Sequence, residues 1–208
     1  MKYRLAIFDF DGTLANSMPW VKTIMHDLAD KYHVRRIDES EIDTLRGFDA
    51  RMFIKHMEVP AWKVPLISND LKSMMARDIH HIQLFDEMDG QLQELARRGV
   101  VLAVVSSNTQ ANVCKVLGPE NSALFRYYEC GASIFGKKSK FHKILKQSGI
   151  PHYQAICIGD EIRDYEAAKS ANIAFGAVAW GYTRLEALQA QAPDEIFERV
   201  DEIAAKIA

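Results

Sequence analysis

The chain has 208 residues, 48% of them apolar and 26% charged, which is the composition of a soluble globular protein long enough for one domain carrying a modest insertion. Lys+Arg 26 against Asp+Glu 28 leaves a net charge of −2, so no basic excess is available to grip a nucleic-acid backbone. No apolar run approaches the ~20 residues of a bilayer span; Asp9 and Asp11 end the apolar start too early for a signal peptide, and three cysteines without CxxC spacing (Cys114, Cys130, Cys157) suit reduced thiols and a cytoplasmic setting.

From the amino end, Leu5–Phe10 is a short apolar run of the kind that forms a strand covered on both faces. Between Leu14 and Leu84 only helical signals follow. Ser17 is placed to cap a helix with Pro19 in its first turn, and Val21, Ile24, Met25 and Leu28 recur at helical spacing. A second pattern runs from Asp38 through Ile42, Leu45, Phe53 and Met57, interrupted by Gly47; a third runs through Leu71, Met74, Met75 and Ile82. Such a stretch is too long for a loop inside a compact domain. Residues 16–83 are therefore expected to form an inserted helical cap, with residues 1–15 and 84–208 as the core. The methionines of the insertion read as core filler.

Beyond the insertion, helix and strand alternate. Leu92, Leu95 and Ala96 share a helical face before Gly99, Val100–Val105 reads as a strand, and Phe125–Cys130 as a weaker one. Phe141, Ile144 and Leu145 mark a helix before Gly149, followed by a strand at Ala155–Ile158, a helix through Tyr165 and Ala168, and a strand at Ala174–Val178. Residues 194–208 read as a terminal amphipathic helix. This alternation predicts an α/β fold with a doubly wound parallel sheet.

The chemistry gathers at the ends of the expected strands. Asp9 and Asp11, in Phe8-Asp9-Phe10-Asp11-Gly12-Thr13-Leu14, stand at the carboxyl end of the first strand, where α/β folds bind ligands. Residues two apart on a strand point to one side, so the two carboxylates are expected to converge, and Gly12 permits the tight exit. Acidic groups so near a core require pairing, hydrogen bonds or a metal. Val104-Val105-Ser106-Ser107-Asn108 puts hydroxyl and amide donors at a second strand tip, Phe135-Gly136-Lys137-Lys138 a basic pair ahead of a helix, and Ile158-Gly159-Asp160-Glu161-Ile162-Arg163-Asp164 further carboxylates at a third. Singly, each suits a helix cap or a solvated turn. In a doubly wound sheet they share one edge, and their chemistry is complementary.

In these motifs the chain resembles the haloacid dehalogenase-like (HAD) hydrolases, in the phosphoglycolate-phosphatase-like branch with a helical cap. DFDGTL is similar to that family's first motif, VVSSN to the second, the lysine of FGKK to the third and GDEIRD to the fourth; Ala179-Trp180-Gly181-Tyr182 resembles a common tail segment. The resemblance implies a phosphatase acting on a small phosphorylated metabolite, with Asp9 as nucleophile, Asp11 as general acid and base, Ser106 on the phosphate and Lys137 neutralising charge. Ser107 stands beside Ser106 as a rival for its place, and Lys138 beside Lys137, which is favoured because Phe141 then falls four residues on. Gly12, Ser107, Asn108, Arg46 and Lys138 are expected around the substrate, with Arg46-Gly47 at a break in the cap. Mg²⁺ is implied on Asp9, the Asp11 carbonyl and Asp160, with Glu161 and Asp164 behind them. Asp11 also points to phosphate esters, since the superfamily's dehalogenases lack it. A sugar phosphomutase using the same aspartyl-phosphate, or a catalytically silent scaffold binding a protein partner, remains the alternative, and the oligomeric state is not readable.

Overall fold

The computed structural model describes residues 2–131 and 136–208, so Phe135 of the FGKK motif lies outside the described residues. Strand β1 (Leu5–Phe8) leads into four helices: α1 (Met18–Tyr32), α2 (Ile42–Leu45), α3 (Ala50–His56) and α4 (Val64–Arg77). Then come α5 (Met88–Arg97), β2 (Val101–Val105), α6 (Gln110–Leu124), β3 (Phe125–Glu129), α7 (Lys137–Ser148), β4 (Ala155–Gly159), α8 (Ile162–Ser170), β5 (Ala174–Val178), α9 (Leu185–Gln189), β6 (Glu195–Phe197) and α10 (Ile203–Ile207). The strands form one parallel sheet in the order β3-β2-β1-β4-β5-β6.

The apolar runs are strands because both sheet faces are covered. All four residues of β1 are fully buried; Ala6 and Phe8 join one core and Leu5 and Ile7 the other. The first core takes Leu92 and Leu95 from α5, Val113 and Leu117 from α6, and Ile203 and Ile207 from α10. The second takes Phe141 and Ile144 from α7, Ala167 and Ala168 from α8, and Leu188 from α9. A two-sided strand of this kind loses its period-2 signal and reads as a solid apolar block.

Three expectations are corrected. Residues 194–208 are not one helix: Glu195–Phe197 is an edge strand, and only Ile203–Ile207 is α-helical near the end. Asp194 sets that strand, its amide donating to the Phe175 carbonyl at 2.8 Å and its carboxylate accepting from the Phe175 amide at 2.9 Å, while Phe197 is buried in the core. Three residues are too few to show a period, so only pairing to β5 reveals the strand. Ser17 also does not cap α1 with its side chain; its Oγ lies 2.8 Å from the Tyr182 hydroxyl instead. Strand β1 stops at Phe8, two residues short of the expected end, because the chain turns into a bridge between Asp11 and Ala15.

The chain leaves and re-enters the sheet layer at one doorway. Ala15 pairs with Leu84 in an antiparallel bridge, the Asn16 amide donates to Gln83 O at 2.8 Å and the Phe85 amide to Leu14 O at 3.0 Å. Between these crossings, α1–α4 enclose a small apolar core of Ile37, Leu45 and Met57, with Met25, Ile42 and Phe48 packed against it.

Phe175 is 1% exposed, packs in the second core and meets Tyr165 edge-on at 5.7 Å. Phe175→Ala is expected to cost about 3–5 kcal/mol and to lower the melting temperature by roughly 10 °C, read by calorimetry.

Candidate active site

The sheet order reverses direction between β1 and β4, since β1 leads to β2 on one side and β4 leads to β5 on the other. In open α/β sheets the crevice outside the carboxyl ends at such a point is where ligands sit. Phe8 is in register with Val104 on one side and Ile158 on the other, so the residues just past each strand emerge together: Asp9, Ser106 and Asp160. Asp9 is tied to this edge by its amide, which donates to Ile158 O at 2.9 Å.

At the floor lies a buried ion-pair chain. Lys137, at the start of α7, places Nζ 2.7 Å from Asp9 Oδ2, and the same ammonium contacts Asp164 Oδ1. None of the three side chains is more than 4% exposed. Lys138, one residue on, is exposed and does not line the cavity described below, so the structure does not bring it to the site. The helical geometry decides between the two: Phe141 packs at 1% exposure, and Lys137 precedes it by one turn on the same face.

Asp160 sits in a cradle shaped by glycines. Its Oδ1 accepts from Thr13 Oγ1 at 2.7 Å and its Oδ2 from the Tyr182 amide at 2.7 Å. Gly12, at φ +80, lies so close that a Cβ there would overlap the Asp160 carboxylate and meet Tyr182 Cδ2 at 2.6 Å. A Cβ on Gly181 would stand 2.5 Å from Asp160 Oδ2. Gly12 therefore serves both the left-handed turn and the close approach. Carboxylate oxygens of Asp9, Asp160 and Asp164 all lie within 4.8 Å of one another.

Asp11 faces the other way, toward the cavity. Its Oδ2 accepts from Asn108 Nδ2 at 3.1 Å, while its buried Oδ1 has no hydrogen-bond partner. Asn108 is positioned in turn by its Oδ1, which accepts from the Thr109 amide and from Asn112 Nδ2, each at 2.9 Å. Ser106 is 1% exposed and its Oγ accepts from the Asn108 amide at 3.0 Å; Ser107 is half-buried and lines the cavity. Asp9 thus lies in the buried ion-pair chain and Asp11 on the cavity wall, both beyond the end of β1 at Phe8.

Arg46 also lines the cavity, but its guanidinium is engaged with main chain, donating to Tyr182 O at 3.1 Å and Gly181 O at 3.2 Å. It joins the end of α2 to the loop that cradles Asp160. Sequence reasoning missed two contributors. Arg163 is largely buried and ion-paired with Glu161, both on the cavity wall, and Tyr182 connects Ser17 to the Asp160 loop. Arg163 stands between acidic residues at a helix start, a pattern that reads as a solvated face; the glycine and aromatics of Ala179-Trp180-Gly181-Tyr182 were the only signal for Tyr182.

The electrostatics follow from burial. Desolvation, with repulsion from Asp164 added, pushes the Asp9 carboxyl up to about 7 despite Lys137. Burial raises Asp11 against the hydrogen bonds of Asn108 and Ser17, and raises Asp160 well above the usual range, with Glu161 and Asp9 adding to it. Burial works to lower Lys137, but Asp164 and Asp9 outweigh it and the ammonium is held charged. Two carboxylates 4.8 Å apart repel by roughly 3.5 kcal/mol at an effective dielectric of about 20. Among the described residues, Asp9, Asp11, Asp160 and Asp164 face Lys137 and an Arg163 already matched by Glu161. This excess of buried, hard oxygen donors suits a divalent cation such as Mg²⁺.

A family model described as haloacid dehalogenase-like hydrolase matches residues 6–178. A curated relative, the phosphoglycolate phosphatase of Synechococcus elongatus, is 28% identical over 193 residues, covering 92% of this chain and 91% of that one. The phosphoglycolate phosphatase of Agrobacterium fabrum is 28% identical over 218 residues, covering 97% and 89%. Among solved structures, a haloacid dehalogenase-like family hydrolase from Streptococcus pneumoniae superposes with a TM-score of 0.81 at 21% identity, over 100% of this chain and 99% of that one. The match runs from the first strand through the motifs of the sheet edge, and the chain belongs to the haloacid dehalogenase-like hydrolases.

Proposed function

We propose that the protein is a Mg²⁺-dependent phosphomonoester hydrolase that acts on a small phosphorylated metabolite through an aspartyl-phosphate, with residues 16–83 as its cap. The observation that carries this reading is the buried Asp9–Lys137–Asp164 chain at the point where the sheet order reverses, with Asp160 within reach of the same carboxylates. The related phosphoglycolate phosphatases make phosphoglycolate the first ester to assay.

In this reading an Asp9 carboxylate oxygen attacks phosphorus in line, and the bond to the leaving alkoxide breaks as the new P–O bond forms. Asp11, whose proton is favoured by burial, donates it to the leaving oxygen. In the second half Asp11 takes a proton from water, the water oxygen attacks phosphorus, and Asp9 departs as carboxylate with phosphate released. Asn108 orients Asp11; Ser106 and Ser107 supply hydroxyls near the transferring group. Lys137 keeps Asp9 in place and offsets charge on the phosphoryl oxygens, and Asp164 holds Lys137. Asp9, Asp160 and the Asp11 carbonyl would hold Mg²⁺, with Glu161 behind them, and the ion would neutralise the phosphate so that an anionic nucleophile can approach. Among the described residues no helix is long and apolar enough to cross a membrane.

Three outcomes test this. Asp9→Asn should lower phosphate release by at least about 10⁴-fold, the scale of losing a nucleophile, without lowering the melting temperature of the metal-free protein, because it removes one of several crowded like charges. Near-wild-type release would remove Asp9 from the nucleophile role. Asp160→Asn should raise the Mg²⁺ concentration for half-maximal rate by at least about tenfold, and an unchanged metal dependence would take it out of the ligand set. Gly181→Ala should shift Mg²⁺ dependence in the same direction, since its Cβ displaces the Asp160 carboxylate.

A further inference from the structure

The cavity above Asp11 has a volume of about 420 Å³ and runs from Asp11, Ser107 and Asn108 into the space between α1, α2, α3 and α4. Its walls beyond the catalytic groups are mostly apolar, including Met25, Ile37, Phe48, Ile54, Ile67 and Leu71. Met25 and Met75, expected as core filler, line it too. The volume falls within the ~300–1,000 Å³ of small-molecule sites, and at ~30 Å³ per water it has room for on the order of a dozen water-sized groups.

Several charged groups also line the wall. Arg46 is engaged by the carbonyls of Gly181 and Tyr182, and Arg163 is matched by Glu161. Lys22 is on the exposed side of α1. Lys72 lines the cavity, and its carbonyl accepts from Asn112, the residue that positions Asn108. Asp49 adds a negative charge and caps α3 through the Met52 amide. A carboxylate carried among the apolar residues of this cavity would meet aliphatic and aromatic side chains, and an unpaired charge there is disfavoured.

We propose that the cavity receives the alcohol part of the ester and that this alcohol is apolar, an alkyl or aryl group several carbons long. The proposal rests on the phosphomonoesterase reading above and names its substrate class: a phosphate monoester with an uncharged hydrophobic tail, held by Asp11, Ser107 and Asn108 at the phosphate and by the helices of residues 16–83 along the tail. A two-carbon acid such as glycolate would leave most of the space unfilled and set its carboxylate against apolar walls. Water exclusion follows from the same contacts, because a tail that fills the cavity displaces water from beside Asp11.

The experiment is a series of kcat/KM values with Mg²⁺ for ethyl, butyl and hexyl phosphate and for phosphoglycolate, on the wild type, Ile67→Trp and Asp9→Asn. At the usual value of a buried methylene, kcat/KM should climb about fourfold per CH₂, or on the order of a hundredfold from ethyl to hexyl phosphate, with phosphoglycolate below hexyl phosphate. Ile67→Trp fills part of the cavity and should reduce the hexyl-to-ethyl ratio at least about tenfold; being a ratio on one preparation, it is insensitive to partial loss of folded protein. Metal-dependent release that is flat along the series, or fastest on phosphoglycolate, would overturn the apolar-tail proposal and leave the phosphomonoesterase intact. Release equal and negligible in wild type and Asp9→Asn on every ester would overturn the phosphomonoesterase reading itself, and the tail proposal with it.

Discussion

The constraint on which the rest of the structure depends is the concentration of carboxylates in the dry floor of the sheet edge. Asp9, Asp160 and Asp164 are all at most 4% exposed, and among the described residues only Lys137 forms an ion pair with them. Such an arrangement does not stabilise a fold. Each buried anion loses hydration, each close pair repels, and a single ammonium cannot offset both terms. It persists because the cores on the two sheet faces hold the strand ends in register, and because β1 is fixed between β2 and β4 by parallel ladders. Removing Lys137 would leave two unpaired buried anions, a more severe loss than removing one carboxylate.

The glycines around Asp160 show how the surrounding chain gives way to that charge. Gly12 and Gly181 both approach the carboxylate closely enough that no side chain fits, and the Tyr182 amide and Thr13 hydroxyl then satisfy its two oxygens. Asp160 is thereby fixed in direction while both oxygens keep lone pairs for a cation. The same loop meets Arg46 and Ser17, so the orientation of Asp160 is coupled to residues at the edge of the helical insertion. A change in how that insertion sits would be felt at the carboxylates through these contacts.

The insertion has a different physical character. Its own core is small, built on Ile37, Leu45 and Met57, and much of its apolar surface faces a cavity rather than another layer of side chains. Helices packed around open apolar space give up burial that a tighter bundle would gain, at ~25 cal/mol per Å². A ligand tail that fills the space recovers that term on binding, which links the stability of the insertion to occupancy of the site.

The sequence alone determined the architecture and much of the floor. The apolar blocks at Leu5, Val100, Ala155 and Ala174 read as covered strands, and DFDGTL and GDEIRD singled out Asp9, Asp11, Asp160 and Asp164, with Lys137 between them, because short-range pattern and residue chemistry are written locally. What lay beyond it depended on contacts between distant segments. Glu195–Phe197 became a strand through pairing with β5, Ser17 gave up its cap for Tyr182, Lys138 pointed out while Lys137 pointed in, and Arg163 turned from an apparent surface charge into part of the cavity wall. The apolar cavity is the clearest case. Met25, Ile54 and Ile67 sit on helices and Phe48 on the loop between α2 and α3, yet whether facing side chains meet or leave a space between them is decided only by how the four helices are set against one another and against the sheet edge.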